Sequence, residues 1–91
     1  MALLDLLSRR WALRVIWELR GDPLTARALR AACDEASPTV LQARLRELRQ
    51  ARFVAVGEGG YELTPLGRDL LETFTPLNSL AEAWGRETAG A

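Results

Sequence analysis

Thr39, Ala43, Arg46 and Gln50 recur at the spacing of one helical face, with Gln42 and Arg49 beside them. Arg and Gln pair bidentately with guanine and adenine edges in a DNA major groove, and a small residue such as Ala43 lets a helix come close. The chemistry on offer is therefore hydrogen-bonded recognition rather than bond making. Ser37 and Pro38 define where that helix begins: the serine is a preferred N-cap whose hydroxyl would accept from a first-turn amide, and proline at the first helical position needs no amide hydrogen. Leu41, Leu45 and Leu48 fall on the opposite, buried stripe. By itself such a face is also what a solvated helix displays, since Arg and Gln are good helix formers.

Catalytic and metal chemistry find little support in the composition. The 91 residues contain no histidine and one cysteine, Cys33, so neither a zinc site nor an internal disulfide is expected. There is no glycine-rich phosphate loop and no nucleophile paired with a base, and carboxylates such as Glu18 and Glu82 read as solvated helix residues. No cofactor is expected. An apolar content of 48% with interspersed charge describes one globular domain over residues 1–91, and no apolar run approaches the roughly 20 residues that cross a bilayer. Asp5 interrupts the apolar start and no basic leader accompanies it, so the expected location is the cytoplasm.

Formal net charge is zero, but it is unevenly distributed. Six arginines between Arg27 and Arg52 face only Asp34, Glu35 and Glu47, whereas residues 53–91 hold Arg68 and Arg86 against six acids. The basic excess coincides with the capped helix. All 12 basic residues are arginine, which suits bidentate phosphate contacts and is equally a mark of a GC-rich coding sequence.

The elements that would position this face follow from local signals. Residues 3–20 read as one long first helix with two apolar sides: Leu4, Leu7, Trp11, Val15 and Leu19 on one, Leu6, Leu13 and Trp17 nearly opposite. Such a helix is expected to lie between its own core and a second subunit. Gly21-Asp22-Pro23 ends it. Thr25 caps a short second helix with Ala28, Leu29, Ala32 and Cys33 inward, and Asp34-Glu35-Ala36 forms a turn before the helix at 37–51. Phe53–Val56 and Tyr61–Leu63 are strand-like around Gly57-Glu58-Gly59-Gly60, a hairpin signal. Thr64-Pro65 starts a last helix through Leu66, Leu70, Leu71, Phe74 and Leu77, which Pro76 should kink or restart before Leu80 and Trp84, with a frayed tail over residues 85–91. The class is mainly α with a small β-hairpin, in the order α-α-α-β-β-α. That is the order of a winged helix-turn-helix, in which the second helix of the pair enters the major groove. The same scaffold also serves as a protein-interaction module that binds no DNA.

Four segments carry a more specific resemblance: Arg10–Leu19 in the first helix, Arg27-Ala28-Leu29-Arg30, Ser37–Leu48 with its Arg44-Leu45-Arg46-Glu47-Leu48, and Tyr61-Glu62-Leu63-Thr64-Pro65-Leu66-Gly67-Arg68. Over residues 3–84 the chain resembles the HxlR-type winged helix-turn-helix transcription regulators, relatives of the MarR group. The resemblance implies a homodimeric regulator of double-stranded DNA, a repressor or autoregulator acting at the nucleoid on a pseudo-palindromic site. It places Ser37, Thr39, Gln42, Ala43 and Arg46 on bases and Arg44 and Arg49 on phosphates. Arg27 and Arg30 are expected to add phosphate contacts, and Leu6, Leu13, Trp17, Phe74, Leu77, Leu80 and Trp84 to form the dimer contact. A small-molecule effector would have its pocket among Trp11, Trp17, Phe74 and Trp84. Three departures stand out. Ala26 replaces an aromatic residue, Arg52 replaces a glycine at a position suited to positive φ, and the cysteine near the N-terminus used by some relatives is missing. The wing tip carries Glu58 and no base, so the wing is expected to contribute little to DNA binding.

Overall fold

The computed structural model describes residues 2–89 and contains five helices and one hairpin. These are α1 (Ala2–Leu7), α2 (Ala12–Glu18), α3 (Ala26–Ala32), α4 (Pro38–Gln50), β1 (Val54–Gly57), β2 (Gly60–Leu63) and α5 (Pro65–Ala89). The winged helix-turn-helix is present, with one helix more than expected: residues 3–20 are two helices, not one. The Ser8 hydroxyl donates to the Asp5 carbonyl at 2.9 Å, and the Arg9 amide donates to Leu6 at 3.2 Å, which tightens and ends α1. Trp11 then takes the left-handed conformation, φ 75°, before α2 begins. That conformation is unfavourable for an L residue. With the chain broken there, Leu6, Leu7 and Trp11 all pack against the core.

α3 starts as expected, its Ala28 amide donating to the Thr25 hydroxyl at 3.1 Å. α4 does not use its serine: Ser37 has cap-like backbone angles but its side chain makes no capping bond, and the sharp start rests on Pro38. At its other end α4 closes in a Schellman turn. The Phe53 amide donates to the Leu48 carbonyl and the Arg52 amide to Arg49, both at 3.0 Å, with Arg52 left-handed at φ 68°. Phe53 and Leu48 are both in the core, completing the apolar contact of that motif.

β1 and β2 pair antiparallel, Val54 with Leu63 through Gly57 with Gly60, around the two-residue turn Glu58-Gly59. Leu24 adds a bridge to Tyr61, with mutual backbone bonds of 3.0 and 2.8 Å that tie the α2–α3 connection to the wing. The Thr64 hydroxyl accepts from the Gly67 amide at 3.0 Å and donates to the Arg52 carbonyl at 2.6 Å, anchoring the start of α5 beneath the end of α4. The core lies between α2, α3, α4, the hairpin and the first half of α5, and holds Val15, Ile16, Leu19, Leu29, Leu41, Leu45, Leu48, Phe53 and Leu70.

Pro76 neither ends nor restarts α5, which runs unbroken from Pro65 to Ala89. Pro76 and the two residues either side of it, apart from Phe74, are exposed, so the one backbone bond the proline cannot make faces water. The tail expected to fray is helical through Ala89, and its last two residues lie outside the described ones, as does Met1. The second half of α5 projects beyond the core and gives the molecule extents of 46 × 27 × 24 Å.

Candidate nucleic-acid interface

Burial of Leu41, Leu45 and Leu48 decides which way α4 faces. Ser37, Thr39, Gln42, Arg46, Arg49 and Gln50 are all exposed, and Ala43 is half-buried between them. Two clefts flank this face. One, of about 230 Å³, lies between α3 and the first turns of α4 and is lined by Ala26, Arg27, Arg30, Pro38, Leu41 and Gln42. It opens where Ala26 leaves room. The other, of about 420 Å³, lies between the last turns of α4 and the wing and is lined by Arg46, Arg49, Gln50 and Val54–Val56.

The arginines divide into two groups. Arg9, Arg14, Arg20, Arg30 and Arg44 each lie within ion-pair distance of a carboxylate. Arg27, Arg46, Arg49 and Arg52 are exposed and have no carboxylate partner among the described residues. These four sit on α3, α4 or the turn that ends α4, whereas Arg10, Arg68 and Arg86, also exposed and without a carboxylate partner among the described residues, lie elsewhere.

Two of the residues expected at phosphates, Arg44 and Arg30, are engaged by groups of their own chain. Only 16% of the Arg44 side chain is exposed, and its guanidinium lies 3.3 Å from Glu47 Oε1, which also receives Arg9 at 3.0 Å. Arg44 Nε and Glu47 Oε2 are buried without partners. Arg30 spends its Nε on the Ala36 carbonyl at 3.0 Å and keeps part of its guanidinium exposed. Sequence spacing could not find the Arg9–Glu47 contact, which joins residues 38 positions apart. Nor could it bring the backbone of β1 beside Arg46 and Arg49, because both depend on how the chain folds back on itself.

The residues expected between subunits also separate. Leu6 packs on the core of its own chain. Leu13, Trp17, Phe74 and Leu77 line a groove of about 770 Å³ between α2 and α5, together with Arg14, Asn78, Ala81 and Glu82. Leu77, Leu80 and Trp84 stand 54%, 63% and 67% exposed along the projecting half of α5. Of the four aromatics proposed for an effector pocket, the groove gathers Trp17 and Phe74, whereas Trp11 lies beside Ala36 and Val40 at the other side of α2.

Cys33 is fully buried, and burial raises its thiol pKa, with Arg14 opposing and Glu18 and Asp34 adding to the rise. The thiolate is thereby disfavoured at neutral pH. A thiol reagent should modify the native chain at least about a thousandfold more slowly than the urea-unfolded chain, the ratio expected if reaction waits for unfolding of a domain stable by ~5 kcal/mol. Comparable rates in stopped-flow labelling would show that the α3 end opens locally.

No helix of the described residues is long and apolar enough to cross a membrane. A protein of Thermoplasma volcanium described as a possible HxlR family transcriptional factor has a similar structure, with a TM-score of 0.84 at 22% identity over 92% of this chain and 82% of that one. Quinone-bound YodB from B. subtilis gives 0.82 at 27% identity over 90% of this chain and 93% of its own. The reduced form of the same transcriptional regulator gives 0.70 at 24% identity over 92% and 85%. No curated protein matches the chain by sequence. The HxlR-like helix-turn-helix family matches residues 6–89. With the fold, the exposed face of α4 and that match together, the chain belongs to the HxlR-like helix-turn-helix family, whose members are DNA-binding transcription factors and not enzymes.

Proposed function

We infer that the chain regulates transcription in the cytoplasm by binding a specific duplex DNA site as a two-fold dimer, with α4 in the major groove. The observation that carries this reading is the exposed face of α4, where Arg46 and Arg49 stand without acidic partners beside Ser37, Thr39, Gln42 and Ala43. Gln42 and Arg46 supply base discrimination. Arg27 and Arg49, with the free part of Arg30, supply phosphate contacts at the two clefts. Arg44 acts mainly as a support for α4, since its charge is already matched by Glu47.

Dimerisation is supported by the projecting half of α5. Leu77, Leu80 and Trp84 form a stripe at helical spacing that the chain's own core leaves uncovered, with Leu3 and Leu4 also exposed. A second copy docking through the same stripe fills the groove between α2 and α5 and sets two α4 helices about 34 Å apart. That arrangement leaves the groove to the partner subunit rather than to an effector.

Selecting bound fragments from genomic DNA identifies the site, and substitutions then test the face. Arg46→Ala should cost about 1–3 kcal/mol and relax preference at one base pair, while Arg49→Ala should weaken all sequences alike and lower the salt slope by about 1. Unchanged affinity of the Arg46 variant at matched salt would show that another face reads the bases. A second reading, a protein-interaction module, is favoured by zero net charge and by Glu58 at the wing tip. Binding that does not fall with added salt would support it.

A further inference from the structure

The turn that aims α4 is built from conformations that its residues avoid. Asp34 and Glu35 are both left-handed, at φ 54° and 58°, although neither is glycine. Their amides close the end of α3, Asp34 donating to Ala31 at 3.3 Å and Glu35 to Arg30 at 2.9 Å, and the next amide, Ala36, donates to Cys33 at 3.1 Å. Ser37 and Pro38 follow at once, so the direction of α4 is set within three residues. Left-handed pairs of this kind persist only when their surroundings hold them.

Two arginines do so from different sides. Arg30 belongs to α3 itself, its Nε donating to the Ala36 carbonyl at 3.0 Å and lying 3.7 Å from Glu35 Oε2. Arg14 reaches over from α2: one terminal nitrogen donates to the Ala32 carbonyl at 2.8 Å and the other to Asp34 Oδ2 at 3.3 Å, with Nε 3.8 Å from Glu18. Arg14 thus occupies a carbonyl at the end of α3 that would otherwise depend on water, and grips the first left-handed residue. The same side chain borders the groove between α2 and α5, beside Trp17, Phe74 and Leu77.

We propose that Arg14 is a positioning residue for DNA recognition: it straps the α3–α4 turn in its left-handed form and so aims α4, from a helix that carries no reading residue. The proposal rests on the reading of α4 as the DNA-contacting helix. Because Arg14 also edges the groove assigned to the second subunit, it gives that interface a direct hold on the turn.

The test replaces Arg14 by glutamine in the full chain, with and without Glu35→Gly, since glycine takes a positive φ without strain. Amide exchange of Glu35 and Ala36 should quicken by roughly tenfold or more relative to the core amides of Leu29 and Leu48, which report global opening. Affinity for the selected duplex should fall about tenfold with the salt slope unchanged, because no phosphate contact is removed. In the Glu35→Gly background the same substitution should cost less than about threefold, the coupling expected if both act through the turn. A salt slope lowered by about 1 would mean that Arg14 touches phosphate, and an equal loss in both backgrounds would mean that it acts elsewhere; either overturns the proposal. Should the parent chain bind no duplex, the reading of α4 fails, and exchange still decides the strap: unchanged protection of Glu35 and Ala36 refutes it.

Discussion

Glutamate at both Leu80 and Trp84 should turn the protein into a monomer and weaken binding to a duplex with two half-sites by about 100- to 10,000-fold. Binding to a single half-site should be unaffected. The size of the effect comes from linkage: once one α4 is seated, the second binds from an effective concentration set by the dimer, and that gain vanishes when the subunits part. The two side chains are 63% and 67% exposed and belong to no cluster in the core, so the substitutions should leave the fold intact. Sedimentation measures the oligomeric state and titrations against full-site and half-site duplexes measure the affinities. A double variant that stays dimeric would place the interface elsewhere, and a monomer that binds the full site as tightly as the parent would show that dimerisation does not contribute to affinity.

Gly67→Ala should be severely destabilising although it adds a single methyl group. A β-carbon at residue 67 would lie inside van der Waals contact of the Phe53 carbonyl oxygen, 3.1 Å from the Phe53 carbonyl carbon and 3.3 Å from the Leu63 β-carbon. The obstacle is mostly backbone, which no side-chain rotation relieves. Phe53 N–H is also committed to Leu48, and Thr64 and Gly67 anchor α5 at this junction, so moving apart strains the end of α4 and the wing together. Overpacking typically costs 1–3 kcal/mol, and a backbone clash puts this variant at about 3 kcal/mol, or a Tm lower by roughly 10–20 °C for a domain of this size. Calorimetry checks it. A Tm within a few degrees of the parent would mean that α5 can shift off the hairpin freely.

Much of this architecture was legible in residue order because it depends on neighbours in sequence. Thr25 and Thr64 cap the helices they precede, Leu41, Leu45 and Leu48 choose the buried side of α4, and the glycines at 57, 59 and 60 make the hairpin turn short. The apolar positions in residues 3–20 have a spacing compatible with one continuous helix. Spacing alone does not reveal that Trp11 takes a left-handed conformation and divides the segment into two short helices. Ser37 was the right residue type in a cap position, yet its hydroxyl makes no bond there, since a cap needs a side-chain rotamer as well as a residue type.

For the recognition surface the same division holds. The sequence by itself determined the fold family, the helix that faces outward and the side chains it displays, because helical periodicity and capping act over a few residues. Only the tertiary structure decided which arginines of that surface keep an unpaired charge. Arg44 is held by Glu47, itself reached by Arg9 from the far end of the chain, and Arg14 is drawn to the α3–α4 turn, while Arg27, Arg46 and Arg49 are left unpaired. The charge available at a surface depends on which groups the folded chain brings within a few ångströms of one another, and residue order alone does not set those distances.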